Sequence, residues 1–419
     1  MKIEIISTGE ELLTGSVTDT NAAFIAQKFE ENNYNVIRHT TTGDDYRTLV
    51  ELFKESGKRS DIIVVSGGLG PTTDDRSAEA AANAAGSYLK QNDDAIESVK
   101  KYFDKYGRSM SMSESDLKQT MLPECADCIE NPIGTAPGFS LMIDSALFYF
   151  IPGVPWEMKD MLVNTVLPGV DSLSGRHKIQ SIKKSLFLFG LPEAVVDEKL
   201  KGIEKKFSGI ITGFRADFPV IEIKLSMKID KDTSRKKDEA MFVKAVEWVQ
   251  KLIGDYIFSD STGKIEAVVG KLLSDKKKTL AVAESCTGGL IGHKLTAVAG
   301  SSDYFITSCV TYANKAKIDI LGVKPETIET YGAVSEETVK EMADGVRRIS
   351  GADYAIATSG VAGPGGGSPD KPVGTVFIGI ANGKETKSFT FKSPFQDRAQ
   401  NKIVFYIKTL DLLRRTIKS

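Results

Sequence analysis

Five short runs in this chain place apolar residues side by side and not in strict alternation: "KIEIIST", "DIIVVSG", "ALFYFIPG", "TLAVA" and "DYAIATSG". A strand apolar on both faces has to be covered on both faces. Such runs, alternating with amphipathic helical segments, predict a mostly parallel sheet between two helical layers. Residues 1–170 supply the first alternation. The helices are predicted in "TNAAFIAQKFEENN", "YRTLVELFKESGK", "SAEAAANAAG" and "PWEMKDMLVNTV", and a further strand in "YNVIRHTT". Residues 258–419 supply a second α/β domain. Its strands are "TLAVA", "YFITSCVTY", "DYAIATSG" and "GTVFIGIAN", and its helices include "LIGHKLTAV", "NKAKIDILG", "SEETVKEMADGVRRIS" and a long closing one after "FQDR".

Residues 171–257 differ. "GRHKIQSIKKSLFLFG" and "PVIEIKLSMKID" alternate like strands with one wet face, and "PEAVVDEKLKGIEKKF" and "RKKDEAMFVKAVEWVQKLIG" read as helices, giving a small α+β module. The charged stretch "KIDKDTSRKKDEA" reads as a solvated loop and helix start. In order and size the module is similar to KH-type domains. It has no G-x-x-G to clamp a nucleic-acid backbone, so a spacer or dimerisation role is expected instead. A length of 419 residues fits such a two- or three-domain plan at roughly 150 residues each. A net charge of −2 provides no basic face for nucleic acid.

The first residues carry Glu4 and Glu10 and no apolar core of a signal peptide. No run reaches the roughly 18 apolar residues of a membrane span. With four cysteines, a reducing, cytoplasmic setting is expected. Cys125 and Cys128 form a lone C-x-x-C. Zinc would need two more ligands, and Cys286, Cys309 and the three histidines are not suitably spaced.

In α/β sheets ligands sit beyond the carboxyl ends of strands, where "SGGLGPTTDD" follows "DIIVV". Gly67, Gly68 and Gly70 let backbone N–H groups approach an anion, and Thr72 and Thr73 add hydroxyls near the next helix start. Asp74 and Asp75 would repel bare phosphate, which points to a bridging divalent cation. Glu10, Asp19, Asn21, Asp44 and Asp45 stand in other polar loops at compatible positions. The competing reading makes Gly-Pro a turn and the acids helix caps.

"STGEELLTGSVTDTNAAFIAQ", "TTTGDDYRTL", "SGGLGPTTDDRS" and "NPIGTAPGF" together resemble the molybdopterin-binding-like, three-layer αβα domain of the CinA family (competence/damage-inducible protein A). The resemblance implies a metal-dependent ADP-ribose pyrophosphatase, using Mg, Mn or Co, that yields AMP and ribose 5-phosphate. Asp44 and Asp75 take the positions of the family's acids, with Asp74 and Glu10 as adjacent metal candidates, and Asn131 and Thr135 as donors to substrate.

In "AESCTGGLIGHKL", Ser285 sits where a strand turns into a helix. It is either a helix cap or a nucleophile whose oxyanion meets the helix N–H groups, with Gly288 and Gly289 keeping the approach open. Cys286 is a rival nucleophile. His293 is the only histidine of the domain, so a Ser-His-Asp triad lacks its middle member. Lys315 and Lys317 are candidate bases, and the residues alone leave both open.

"AESCTGG", "VTYANKAK", "GAVSEETV", "SGVAGPGGGSPDKPVGTV" and "FQDR" resemble the CinA C-terminal domain, known as nicotinamide mononucleotide (NMN) deamidase. The resemblance implies a metal-free Ser/Lys amidohydrolase: Ser285 as nucleophile, Lys317 as base, Tyr312 as helper and Arg398 on the substrate phosphate. Thr287, Gly288, Gly289, Ser359, Gly360, Gly363, Ser368 and Thr375 would line the nucleotide pocket. Arg398 could instead pair with Asp397. A homodimer acting on small nucleotides is therefore expected. The rival readings are a non-enzymatic regulator in competence or DNA damage and a molybdopterin-handling protein.

Overall fold

A computed structural model of the chain describes residues 1–105, 112–173, 180–229 and 235–418. Two compact units emerge, Met1–Gln180 and Ser181–Ser419.

The first unit is built on a six-stranded sheet. Its centre is parallel: Ile3–Thr8 lies between Val36–Thr42 and Ile62–Ser66, and Ile62–Ser66 also pairs with Ala146–Ile151. Apolar residues on both sides of each strand feed two cores. Ile3, Ile5, Ile62 and Val64 face one layer with Ile25, Phe29 and Met158; Ile6, Ile63 and Val65 face the other with Leu49, Phe53 and Ala80. The helices Thr20–Glu31, Tyr46–Arg59 and Ser77–Ala84 fall where the sequence places them. The far edge was not foreseen. Gly138–Ile143 and Asp127–Ile129 continue the sheet antiparallel, and Leu89–Gln91 pairs with Met121–Pro123 in a separate two-stranded ribbon.

In the second unit a four-stranded sheet comprises Gln180–Phe189, Ile210–Asp217, Val220–Ile229 and Ile257–Ser259, backed by the helix Arg235–Ile253. The expected helix from 192 to 207 breaks at Gly202, which has φ 87°. Strand Ile210–Asp217 was not anticipated. The expected charged loop falls largely on 230–234, and the start of the preceding expected strand on 174–179, both outside the described residues.

A separate five-stranded sheet orders Phe305–Val310, Leu280–Glu284, Tyr354–Gly360, Thr375–Ala381 and Thr386–Lys392. The first three strands are parallel and the last two antiparallel. Thr386–Lys392 and the helix Pro325–Tyr331 were missed. Ser335 caps the helix Glu336–Ser350 by accepting the Thr338 N–H, as its sequence predicts. The helix Ile265–Asp275 has no side-chain cap, although Ser and Thr precede it. Among the described residues no helix is long and apolar enough to cross a membrane.

Candidate functional site

In the first unit, Ile62–Ser66 ends in a turn through Gly67 and Gly68, with φ 116° and 67°. The turn opens on a cleft of about 340 Å³. Asp44, Asp74, Asp75, Gly67, Gly68, Gly70 and Thr135 line it, so this part of the expected constellation is brought together. Thr8, Glu11 and Glu157, which sequence reasoning missed, complete the wall. The Thr8 hydroxyl is buried and has no partner.

The acidic loop is held by its own hydrogen bonds. The Asp75 carboxylate accepts the N–H and hydroxyl of Thr72 at 2.9 and 2.6 Å. The Lys118 ammonium donates to the carbonyl of Asp75 at 3.1 Å and to that of Thr72. A methyl group on Gly70 would sit 2.4 Å from the Asp75 carboxylate. Gly70 is therefore required by the fit of this loop, whatever ligand approaches. Asp44 accepts the Glu10 N–H at 3.1 Å. Burial pushes its carboxyl above the ordinary range, and the negative charges of Glu11, Asp74 and Asp75 add to the shift. Several carboxylates thus face one another across one cleft.

Other expected residues are occupied elsewhere. The Glu10 carboxylate packs against Gly43 and does not line the cleft; Glu11, one residue on, does. Thr72 is spent on Asp75, and Thr73 is not part of the wall. Asn131 is buried and gives its amide to Ala136 and Glu157 at 2.9 and 2.7 Å, leaving nothing for substrate. Glu157, only 9% exposed, has its carboxyl pushed up by burial. Asp19 and Asp45 are helix caps. Asn21 ties Ser66 to the Gly153 carbonyl.

Among the described residues no three His, Cys, Asp or Glu side chains gather into a metal cage. Mg²⁺-type ions commonly use one or two carboxylates and take their other ligands from water and substrate phosphates. The Asp44, Asp74 and Asp75 carboxylates, repelling one another beside an unpartnered hydroxyl, fit that kind of shared ion. Cys125 and Cys128 are free thiols, and burial pushes Cys128 up to about 11.

In the second unit the turn after Leu280–Glu284 carries Ser285, 9% exposed, with its N–H on the Thr358 carbonyl at 3.0 Å. Ser285 does not cap the helix Leu290–Thr296; the cap position is Gly289, φ 88°. Instead the buried Glu284 carboxylate accepts the Ile291 and Gly292 N–H groups at 3.1 and 2.8 Å, and the Ser308 hydroxyl at 3.0 Å. This corrects the expected source of an oxyanion site, because the helix N-terminus is already satisfied. Among the described residues, the N–H groups of the Ser285 loop that donate to no other residue are those of Cys286, Thr287 and Gly289.

Lys317 and Lys315 part company. Lys315 is exposed and ion-paired with Asp319 at 2.6 Å. Lys317 is 1% exposed, and its Nζ donates to the carbonyls of Thr311 and Tyr312, each at 3.0 Å. Thr311 in turn donates its N–H to the Glu284 carbonyl, one residue before Ser285. Burial pushes the Lys317 amine below its ordinary range, opposed by the nearby Cys286 thiol. The same burial pushes Cys286 up to about 12, so Cys286 is protonated and no rival nucleophile.

Arg398 is exposed and does not pair with Asp397. Its guanidinium donates to the Gly363 carbonyl at 2.9 Å and to the Tyr312 hydroxyl at 2.8 Å. Asp397 instead caps the closing helix by accepting the Gln400 N–H. Thr287 is fully buried and shares a hydrogen bond with Thr358 at 2.9 Å, so it offers only its backbone. Ser359 donates to the Ala333 carbonyl at 2.7 Å, and Gly360 lies so close to Thr375 that a methyl group would meet its carbonyl at 2.5 Å. Ser368 lies on an exposed loop and accepts the Lys371 N–H. The Thr375 hydroxyl is buried without a partner.

The sequence matches the family description "Probable molybdopterin binding domain" over residues 4–172 and "CinA C-terminal domain" over residues 262–417. A CinA-like protein of Desulfosudis oleivorans is 49% identical over 417 residues, covering 100% of both chains. One from Desulforapulum autotrophicum is 45% identical over 419 residues, covering 99% of this chain and 98% of its own. A solved competence/damage-inducible protein of Agrobacterium tumefaciens is 36% identical, covers 39% of this chain and 100% of its own, and superposes with a TM-score of 0.36. With a molybdopterin-binding-like domain ahead of a CinA domain, and relatives matching it from end to end, this chain belongs to the CinA family.

Proposed function

We propose that the protein is a bifunctional pyridine-nucleotide hydrolase, with an NMN deamidase at Ser285 and a metal-dependent ADP-ribose pyrophosphatase in the first unit's cleft. The observation that carries the deamidase is Lys317. A neutral amine has two N–H bonds and one lone pair. Two backbone carbonyls accept from Nζ, which leaves the lone pair to take a proton. Burial raises the fraction of amine in that neutral form.

In the proposed reaction the Ser285 oxygen bonds to the carboxamide carbon while its proton passes to Lys317. The negative oxygen is met by the free loop N–H groups. The carbon–nitrogen bond then breaks, and Lys317 returns the proton to departing ammonia. Water, deprotonated by the same amine, releases nicotinate mononucleotide and restores Ser285. Tyr312, anchored by Arg398, stands at the edge of this site. The test is ammonia release from NMN by the full chain. No release, or release unaffected by Ser285→Ala, sinks the reading.

For the cleft, the supporting observation is the crowd of carboxylates around Asp44. Asp44, Asp74 and Asp75 would hold a divalent cation, with Glu11 in place of Glu10 as the further acid. Such an ion, when bound, neutralises pyrophosphate charge and lowers the pKa of bound water. The Gly67–Gly70 turn positions the phosphates. AMP formation from ADP-ribose with Mg²⁺, Mn²⁺ or Co²⁺ tests this half; intact ADP-ribose under all three ions removes it, and copurifying pterin would favour a molybdopterin role.

A further inference from the structure

Lys402 lies on the closing helix Arg398–Lys418, one turn after Arg398 and so on the same face. It is partly buried, and among the described residues its ammonium has no hydrogen-bond or ion-pair partner. A methyl group placed on Gly288 would lie 3.6 Å from Lys402 Nζ. The side chain therefore reaches back to the turn that carries Ser285 instead of extending into water.

This placement is electrostatically unfavourable on its own. Two cations one helical turn apart repel each other. Both stand near the positive end of a helix dipole. A partly buried ammonium gives up hydration and here receives no acceptor in return. Arg398 has already committed guanidinium hydrogens to Gly363 and Tyr312, and the nearest acid in sequence, Asp397, is spent on the Gln400 N–H. Lys402 is thus an uncommitted cation beside the Ser285 turn.

We propose that Lys402 is the residue by which this site recognises the phosphate monoester of its nucleotide substrate, Arg398 serving chiefly to hold Tyr312 and the Gly363 turn in place. The assignment rests on the deamidase reading for its substrate class. An ammonium is a compact donor that suits a monoester oxygen, and a desolvated charge pair of this kind acts mainly on binding.

The test compares full-length wild type, Lys402→Met and Lys402→Arg in ammonia release from NMN and from the dephosphorylated nicotinamide riboside. Lys402→Met is expected to raise KM for NMN about tenfold or more, with kcat held within about threefold. Lys402→Arg recovers most of that loss. With the riboside, wild type and Lys402→Met perform alike. An unchanged KM for NMN in Lys402→Met, or an equal loss on both substrates, overturns the assignment. A second arm needs no turnover: inorganic phosphate raises the melting temperature of wild type but not of Lys402→Met. If NMN is not hydrolysed by wild type and that phosphate effect is still lost in the variant, the deamidase reading falls and the anion site stands. Equal phosphate protection of both proteins removes the anion site itself.

Discussion

Replacing Lys317 by Met separates the chemistry of this side chain from what its burial costs. The amine is 1% exposed, and desolvation holds its pKa below the ordinary 10.5. The unfolded chain keeps the ordinary value. Between the folded pKa and 10.5 the unfolded state therefore binds one more proton. Raising the pH through that window stabilises the fold, by at most about 1.4 kcal/mol per pH unit, and the gain is lost as pH falls through the folded pKa. Methionine does not titrate, so this slope vanishes in the variant. Against any gain, the variant leaves the Thr311 and Tyr312 carbonyls without their donor, at about 1 kcal/mol each. The absolute stability difference can take either sign, and its pH dependence is the diagnostic quantity. At about 2–4 °C per kcal/mol, melting temperatures of the two full-length proteins should separate by up to about 3–6 °C per pH unit in the window that ends at the ordinary 10.5, wild type gaining with pH. In parallel kcat falls about 10²–10⁴-fold, and the wild-type rate climbs with pH as the amine deprotonates. Melting temperatures that track each other at every pH would show a normal amine, and a variant keeping more than about a tenth of kcat would remove Lys317 as the base.

Cys286→Ala should retain NMN turnover within about threefold, and Cys286 in the wild type should resist alkylation near neutral pH, because a thiol pushed up to about 12 supplies almost no thiolate; rapid inactivation with alkylation mapped to Cys286 would reverse this. Gly70→Ala forces the Asp75 carboxylate aside, since its methyl group would lie 2.4 Å away, and should abolish AMP release from ADP-ribose while NMN turnover persists. Loss of both activities would point to misfolding instead. Asp44→Asn should raise the melting temperature near neutral pH without added metal. The raised pKa means that the ionised carboxyl is the unfavourable form in the fold, so wild-type stability falls as pH rises through it. The gain should disappear in acid; a gain that persists there would rule out the carboxyl as its cause.

Burial on both faces made the central parallel strands legible, and capping chemistry located Ser335. What stayed hidden was the antiparallel edge of the first unit, where Asp127–Ile129 is only three residues long, and strand Ile210–Asp217, whose Gly213 and Asp217 argue against a strand. The sites were legible to the extent that identity in a motif reports position. Ser285, Asp44 and Asp75 line turns or clefts as expected. The difference between Glu10 and Glu11 depends on which way a four-residue helix rotates its side chains, and no period in so short an element records it. Lys317 is buried and Lys315 exposed, a difference in packing that two lysines two residues apart do not announce in sequence. Lys402 was invisible because nothing local distinguishes it from a solvated helix lysine; only the approach to Gly288 does.

The same limit applies to "SGGLGPTTDD" and "SGVAGPGGGSPD", which share the six-residue pattern S-G-x-x-G-P. In the first, Ser66 is the last residue of a strand with parallel neighbours, and the chain turns through two left-handed glycines toward the helix Ser77–Ala84. Parallel pairing demands such a crossover, and the crossover places a loop at the carboxyl end of the sheet, where a ligand can reach it. In the second, Gly360 is still in its strand and is paired with Val376 of an antiparallel neighbour. The chain only loops out and returns, through the exposed residues 364–370, with no helix between the two strands. Gly360 is glycine because the Thr375 carbonyl leaves no room for a side chain. Identical spacing thus answers two different demands, a turn that exposes backbone to a ligand and a close contact inside a sheet. Strand direction, which a six-residue pattern does not encode, decides between them.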